Sequence, residues 1–315
     1  MSRPRLPDHA RPFVRGRGSL QVGEQPGQGV VFSGLSQDEI RLVMGLDGSR
    51  DLEQLRAEPG AARLDALLEV LRDRSLLAET GLDPQVLLEL GPHREQLAWD
   101  AAGRAAAYGV DDGYRLLLAR RDRTVVVAGA GAAAAMIAVL LRQGGVGHVC
   151  VGPHAGDALD LELRSGSGEL PDCIVLICEG ALPPDAALPW WRRGVAVVPL
   201  ILRAERATVG PLLAAGGPCA HCLDLRRSDA DPGWPAVLQQ ITQSARIRGE
   251  AGAESALSAV AAGVTTLLVH DRLDVPGTPD GCSIEVTLPL PQLVYRKWFA
   301  HPDCPWHETA VTIGG

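Results

Sequence analysis

The sequence predicts an α/β protein in which a small N-terminal α+β domain precedes a doubly wound, mostly parallel sheet with a structural zinc site. Three observations predict this class. Residues Thr124 to Gly152 read as strand, glycine turn, helix and strand; further apolar strand patterns follow; and two short Cys/His pairs lie near the C-terminus. The predicted domains are residues 1–82, a helical connector at 83–123, and the sheet domain at 124–315.

Composition limits the functions to consider. The net charge is −8 and 46% of the residues are hydrophobic, a balance that excludes nucleic-acid binding through bulk charge. The sequence shows neither a secretory signal pattern nor an apolar run of the roughly 20 residues that a membrane span needs. We therefore expect a cytoplasmic protein with no membrane partner. Seven cysteines in such a chain favour metal ligation or burial over disulfides.

The first domain has the element pattern of a winged helix. Val14–Val22 alternates weakly around glycines and suits a hairpin, and Gly29–Ser33 is a third strand. Ser36 and Glu39 then form a capping box at the start of a helix. Two more helices follow, the last with leucines at helical spacing from Leu64 to Leu71.

Winged helices often bind DNA, but the third helix mixes Arg63, Arg72 and Arg74 with acidic residues and lacks a basic face, which disfavours groove binding. The edge of the third strand can instead accept an extended peptide. The alternative is that the domain only packs against the next one. The predicted peptide-binding residues are Gly29, Val30, Val31, Phe32, Ser33, Arg63, Leu67, Leu71 and Arg74.

The remaining elements follow from apolar patterning. Gln85–Leu90 and Glu95–Tyr108 are predicted helices of the connector, and Tyr114–Ala119 is either a strand or a helix. In the sheet domain the predicted strands after Gly152 are Cys173–Cys178, Val195–Ile201, an edge piece at Ala204–Val209, and Ser283–Leu288. The predicted helices there are Ala132–Gln143, Pro235–Arg246 and Glu254–His270. Cys150, Cys173 and Cys178 are expected to be core residues.

The two Cys/His pairs predict a metal centre. Cys219 and Cys222 form a C-x-x-C pair after Gly216-Gly217-Pro218, and Cys304 with His307 forms a C-x-x-H pair. Together they suit one tetrahedral zinc per chain, closed by four protein ligands and therefore structural. His301, His221 or Cys282 could replace His307. The competing interpretation is a redox dithiol, which we disfavour because such a motif begins a helix after a strand.

The glycine turn raises the question of a nucleotide. Gly129 and Gly131 begin a dinucleotide-type fingerprint, with Ala134 in the third position. A ribose-binding acid is expected after the second strand, but the sequence there is Gly152-Pro153-His154. We therefore expect a degenerate site that does not use ATP.

Taken together, these parts resemble the ThiF-like adenylating proteins. The segments Gly217–Cys222, Leu223–Pro235 and His301–His307 are similar to those of the zinc-bearing members. The resemblance is greatest to the leader-peptide-binding partners of thiazole/oxazole peptide biosynthesis, called ocin-ThiF-like proteins, and covers about Phe13 to His307.

This resemblance implies a division of labour. The winged-helix domain would be a peptide recognition element that binds the leader of a ribosomal precursor peptide. A separate YcaO-type cyclodehydratase would then form azolines with ATP. Active adenylating members also keep an aspartate where this chain has Cys178-Glu179-Gly180, and His307 stands where they have a second cysteine.

The resulting hypothesis is a non-catalytic, zinc-containing scaffold. A second hypothesis is an ATP-dependent adenylating enzyme of the ThiF type that acts on a peptide, and a third is a winged-helix DNA-binding regulator. Homodimer formation is left open by the sequence.

Overall fold

The computed structural model describes residues 3–7, 10–24, 27, 29–78, 83–110, 112–165, 168–248, 252–274, 281–289 and 291–308, with the backbone only at 161, 164, 165, 244–248 and 308. The chain forms two compact units, residues 1–119 and 120–315. Among the described residues, no helix combines the length and apolarity needed to cross a bilayer.

The first unit begins with three strands and continues with helices. The strands are β1 (Pro12–Gly16), β2 (Ser19–Val22) and β3 (Val30–Ser33). The helices are α1 (Gln37–Met44), α2 (Leu52–Arg56), α3 (Leu64–Asp73), α4 (Pro84–Leu90), α5 (His93–Gln96), α6 (Ala98–Tyr108) and α7 (Tyr114–Arg120), whose last residue is the first of the second unit. The segment predicted as either strand or helix is thus helical.

Local sequence explains how the first unit folds. The Ser36 hydroxyl accepts the backbone N–H of Glu39, and the Glu39 carboxylate accepts that of Ser36, so the predicted capping box starts α1. The strands pair antiparallel in the order β1-β2-β3. Leu20 and Val22 are fully buried in the core that these strands share with the leucines of α3. The winged-helix assignment itself stays a prediction.

The second unit contains a seven-stranded sheet and its helices. The strands are β4 (Thr124–Ala128), β5 (His148–Gly152), β6 (Cys173–Glu179), β7 (Ala196–Arg203), β8 (Arg206–Val209), β9 (Cys282–Thr287) and β10 (Gln292–Lys297). The helices are α8 (Gly131–Gln143), α9 (Ala155–Ser165), α10 (Pro184–Arg192), α11 (Ala220–Ala230), α12 (Trp234–Arg248), α13 (Ser255–Asp274) and α14 (Pro305–Glu308).

The sheet is mixed, which corrects the expectation of a mostly parallel one. Its strand order is β10-β9-β8-β7-β6-β4-β5. β5, β4, β6 and β7 run parallel, whereas β8, β9 and β10 are each antiparallel to their neighbours. Crossover helices force parallel pairing only in the first half, because β7 and β8 are joined by a tight turn. Helices cover both faces: α8 and α13 pack on one core, and α10 and α11 on the other.

Three strand predictions change in detail. β8 was expected at an edge but lies between β7 and β9. β10 was not predicted. Cys150 was expected in the core but is exposed, because β5 ends the sheet and has neighbours on one side only. Cys173 is buried as expected, and Cys178 is partly buried.

Candidate functional site

The four residues of the predicted metal centre come together. Cys219, Cys222, Cys304 and His307 each offer a ligand atom, and these atoms all lie within 4.8 Å of one another. The three cysteines are buried and His307 is half-buried. The cluster joins the start of α11 to the C-terminal segment around α14, although these segments are 85 residues apart in sequence.

The distances fit one metal ion. The Sγ of Cys219 lies 3.6 Å from the Sγ of Cys222 and 3.6 Å from that of Cys304. Two sulfurs about 2.3 Å from a tetrahedral zinc are about 3.8 Å apart, whereas a disulfide requires about 2.05 Å. The Nε2 of His307 is 3.1 Å from the Sγ of Cys222. Soft thiolates with one imidazole are the ligands that zinc prefers.

The other candidates for the fourth ligand have different partners. The backbone N–H of Asp303 donates to Nδ1 of His301, and the Nε2 of His301 lies 2.9 Å from Asp229 Oδ2. His221 stacks on Trp306 with ring centroids 4.8 Å apart. Cys282 begins β9 and pairs with Lys297. Among the described residues, His307 is therefore the imidazole of the cluster.

One argument used against a redox dithiol holds only in part. Cys219 is the N-cap of α11 and Cys222 lies in its first turn, so the C-x-x-C pair does begin a helix. It follows the Gly216-Gly217-Pro218 loop, however, and not a strand directly, because β8 ends at Val209. What distinguishes this site from a dithiol is the position of Cys304 and His307 within ligand distance of both cysteines. The local sequence could not show that contact, because it depends on tertiary folding.

Hydrogen bonds prepare the cluster for a metal. The Cys219 thiol and then the backbone N–H of His301 lower the pKa of Cys222, against the opposing effect of burial. The same interaction with Cys222, together with burial, raises the pKa of Cys219. These contacts favour the thiolate form of Cys222, which is the form that binds metal. The supporting role of His301 and Asp229 was missed, and the only local signal for it was the position of His301 three residues before Cys304.

The predicted peptide site lies on an edge strand. β3 pairs with β2 on one side, and on its other side no described strand pairs with it. Val31 is 46% exposed, and Val30 and Phe32 are half-buried against the core. Gly29 is needed because an added Cβ would come within 2.7 Å of the carbonyl oxygen of Val22. Ser33 ends the strand and is exposed.

The predicted residues of α3 divide into two groups. Leu67 and Leu71 are buried in the core that packs against the three strands. They therefore offer no exposed surface to a peptide. Arg63 donates to both carboxylate oxygens of Glu39 and to the carbonyl of Gly34. This contact holds the pKa of Glu39 at about 2. Arg74 follows α3 and is exposed.

The two glycines of the turn have structural explanations. A Cβ on Gly129 would lie 2.6 Å from the Cβ of Ile177, so the close approach of β6 requires glycine there. Gly131 has φ of +82°, which L side chains rarely adopt. Neither glycine therefore needs a nucleotide to explain it.

A small acidic cavity lies at the carboxyl ends of the parallel strands, where β4 lies between β5 and β6. Its volume is about 230 Å³, and its walls include Ala128 and Cys178. Three carboxylates also line it, those of Asp157, Asp160 and Asp185. Ligand pockets usually measure about 300–1,000 Å³, so this cavity is smaller than a usual ligand site. The Asp160 carboxylate is paired with Arg193 at 2.7 Å.

Solved structures share this fold. The heterocyclase TruD matches with a TM-score of 0.66 and 17% identity over 97% of this chain and 42% of TruD. A heterocyclase in complex with substrate and cofactor matches with 0.65 and 18%, over 97% of this chain and 39% of its own. E. coli MccB with MccA-N7isoASN matches with 0.65 and 12%, over 97% and 99%.

These likenesses agree with the ThiF-like α/β fold and, at such identities, establish the fold alone. The chain spans less than half the length of the two heterocyclases. No protein-family model and no curated protein sequence matches it.

Proposed function

We propose that this chain is a non-catalytic, cytoplasmic scaffold of thiazole/oxazole peptide biosynthesis. It binds the leader of a ribosomal precursor peptide and presents the peptide to a separate YcaO-type cyclodehydratase, which forms the azolines. The observation that carries the proposal is the free edge of β3. No described strand pairs with this edge, and the side chains of β3 are only partly buried in the core.

An added strand would complete this edge. Val30 and Phe32 point toward the core but stay half-buried, since no described strand covers them from the side. A peptide strand beside β3 would bury both side chains further and would take up the unpaired backbone groups of the edge. The exposed side chain of Val31 would then contact every second residue of the peptide, on the outer face of the sheet. Backbone pairing makes such binding tolerant of sequence.

The positive charge that attracts an acidic leader would come mainly from Arg74. The guanidinium of Arg63 is already bound to Glu39 and to the carbonyl of Gly34, so it positions the end of β3. Arg74 is exposed and forms no ion pair with another described residue. An acidic leader running past the end of α3 would gain from that exposed charge.

The similar solved structures support the parts of the proposal that concern a peptide and a partner enzyme. Solved MccB structures include a complex with N-formylated MccA, and the present chain corresponds to 99% of MccB in the complex with MccA-N7isoASN. The heterocyclases are more than twice as long as the part that this chain covers. We propose that a YcaO-type enzyme corresponds to that remaining part.

The strand ends support a role without catalysis. The two turn glycines serve packing and backbone geometry, and the cavity at the strand ends is small and acidic. His154 stands where a ribose-binding acid is expected, and its side chain is 85% exposed.

The test is fluorescence anisotropy of the full chain with a fluorescein-labelled leader of the precursor encoded beside this gene. Val31→Asp places a charge on the β3 edge and is expected to weaken binding at least tenfold. Val14→Asp is the matched control, because Val14 is 57% exposed on the other edge strand of the same sheet. It is expected to change the affinity less than twofold.

Equal effects of the two substitutions, or a larger effect of Val14→Asp, would contradict binding at β3. Circular dichroism of both variants checks that the fold is kept. Addition of the YcaO-type enzyme should give leader-dependent loss of water from the precursor, and this chain alone should give none.

The adenylating enzyme is the second candidate, because the fold matches nearly the whole length of MccB and MccB has been solved with ATP. It requires ATP–pyrophosphate exchange by this chain with the precursor peptide. We expect no exchange above background. Saturable exchange would mean that the chain is an adenylating enzyme and not a scaffold. No feature of the described part of the first unit favours the DNA-binding regulator.

A further inference from the structure

We propose that the outer edge of β10 is an interface at which a second copy of this chain pairs antiparallel with the first. β10 (Gln292–Lys297) ends the seven-stranded sheet, and among the described strands it pairs only with β9. Two copies joined in this way would form one continuous sheet across a two-fold axis. The inference does not depend on the proposed function.

The edge is open along its whole length. Every residue of β10 is exposed, and the register with β9 is regular from Gln292 to Lys297. In an antiparallel pair of this kind, alternate residues of the outer strand direct their N–H and C=O groups away from the sheet. Such a row of backbone groups is a template for another strand.

Two other edge strands of this chain carry features that oppose strand addition. β1 begins with Pro12, which has no N–H group, and its register shifts between Val14 and Gly16. On β5, the side chain of Arg142 donates to the backbone carbonyl of Val149. β10 contains neither a proline nor a register shift, so it lacks the devices by which proteins usually protect an edge.

Exposed apolar side chains lie on this edge beside the core of the second unit. Leu293 is 54% exposed and Tyr295 is 67% exposed. Leu293 pairs with Val286 of β9, which is buried in the core beneath α13. A strand added to β10 would therefore continue this apolar layer and remove both side chains from water.

The strand is complementary to itself, which makes a second copy the occupant. Residues that lie opposite each other in an antiparallel pair share one face of the sheet, so a two-fold axis must pass through a residue. An axis through Val294 places Leu293 opposite Tyr295 of the second copy, twice, and Val294 opposite itself. All three central pairs are then apolar, and aromatic–aliphatic pairs of this kind stabilise sheets.

The charges of β10 fit the same register. An axis through Val294 places Arg296 opposite Gln292 of the second copy and Lys297 opposite Pro291 of the second copy. Both cations then lie at the ends of the paired segment, away from each other. An axis through Arg296 would instead bring two guanidinium groups together, and like charges directly opposite are destabilising.

The size of the edge sets the expected affinity. A strand of six residues is about 20 Å long, and one strand pair buries less than the roughly 800 Å² per partner of a standard interface. We therefore expect a reversible dimer with a Kd on the order of 10–100 µM. Sedimentation velocity of the full chain, at concentrations below and above that Kd, measures it.

Val294→Lys tests the centre of the interface. It places two ammonium groups opposite each other across the axis, and we expect dimer affinity to fall at least tenfold. The substitution suits the single chain, because Val294 is 39% exposed and pairs with Glu285 of β9. Val151→Lys is the matched control. Val151 is 43% exposed on β5, the other edge strand of the sheet, and we expect a change of less than twofold.

Disulfide cross-linking tests the register in a Cys150→Ala background, which removes the exposed cysteine. With Val294→Cys, the two Cα atoms across the axis would be about 4.5–5.5 Å apart, within the range of about 4.4–6.8 Å that a disulfide spans. Diamide should therefore give a covalent dimer on a non-reducing gel. With Arg296→Cys the two Cα atoms would be roughly 14 Å apart, and no covalent dimer should form.

Three results would overturn the proposal. One is a wild-type chain that stays monomeric well above the expected Kd, since a strand of another protein would then be the occupant of the edge. Another is equal weakening of the dimer by Val294→Lys and Val151→Lys. The third is cross-linking of Arg296→Cys as readily as Val294→Cys. The wild-type and cross-linking experiments do not use Val294→Lys, so misfolding of that variant leaves the test decisive.

Discussion

At the level of single residues, substitution of Gly129 tests whether packing requires the glycine turn. An added Cβ would lie 2.6 Å from the Cβ of Ile177, and no side-chain rotation moves a Cβ away. Gly129→Ala must therefore displace β4 or β6, and we expect a loss of about 1–3 kcal/mol in the free energy of unfolding, the usual cost of overpacking. Urea unfolding followed by circular dichroism measures it.

Gly263→Ala is the matched control for Gly129→Ala. Gly263 lies within α13, where an added Cβ meets nothing within 4 Å. This substitution should stabilise the chain by about 0.5–1 kcal/mol, because alanine loses less backbone entropy in a helix. A Gly129→Ala variant as stable as the wild type would remove the packing explanation and reopen the nucleotide interpretation.

Residue-level predictions succeeded where the interacting groups are close in sequence. Ser36 and Glu39 are three positions apart, and their capping box forms as predicted. The Arg63–Glu39 pair spans 24 positions, so patterning assigned Arg63 to the peptide and could not show that Glu39 already holds it. The burial of Leu67 and Leu71 follows from their helical spacing, which indicates a core face better than it indicates a ligand pocket.

At the level of elements, a buried ion pair within the second unit holds Arg120 at the ends of α8 and α13. Arg120 donates to both carboxylate oxygens of Asp274 at the end of α13, and to the carbonyl of Gly144 after α8. Both charged side chains are 0% exposed. Arg120→Met removes the guanidinium that donates to both carboxylate oxygens of buried Asp274. We expect a loss of about 3–5 kcal/mol in unfolding free energy, measured by urea denaturation.

Arg123→Met is the control for that pair. Arg123 forms an ion pair with Asp172 in the same unit, but its side chain is 45% exposed. Solvent screening limits the loss there to about 1 kcal/mol or less. Replacing Arg120 and Asp274 together by apolar residues should recover most of the stability, because no buried charge is then left unpaired. Equal losses for Arg120→Met and Arg123→Met would contradict the argument.

The sequence predicts which segments form strands better than it predicts where those strands lie in the sheet. The runs at β4, β6 and β7 are continuous and apolar, and the structure has them as the parallel centre of the sheet. β5 has a similar composition yet ends the sheet, which leaves Cys150 exposed. β10 was missed because Gln292–Lys297 is exposed throughout and so lacks the alternation that marks a half-buried strand. Pairing order depends on the tertiary fold, which composition does not encode.

For the whole second unit, the Cys/His cluster is a long-range contact. It holds Cys222 next to His307, 85 positions later in the chain. Trp191 of α10 packs edge-on against the ring of His307 at 5.1 Å, and the indole N–H of Trp191 donates to the carbonyl of Ala214. A metal at the cluster would thus fix the C-terminal segment to both α10 and α11. Closing so long a loop removes more entropy from the unfolded chain than closing a short one.

We expect elemental analysis to find about one zinc per chain, as for a site closed by four protein ligands. Zinc binding contributes directly to folding free energy, so a chelator should lower the melting temperature. Cys219→Ala should lose the metal and much of the soluble protein. Cys150→Ala, which removes an exposed cysteine outside the cluster, should keep both. A wild-type chain that is fully folded without metal, or a Cys219→Ala variant that melts like Cys150→Ala, would mean that thiol packing alone holds the C-terminal segment to α11.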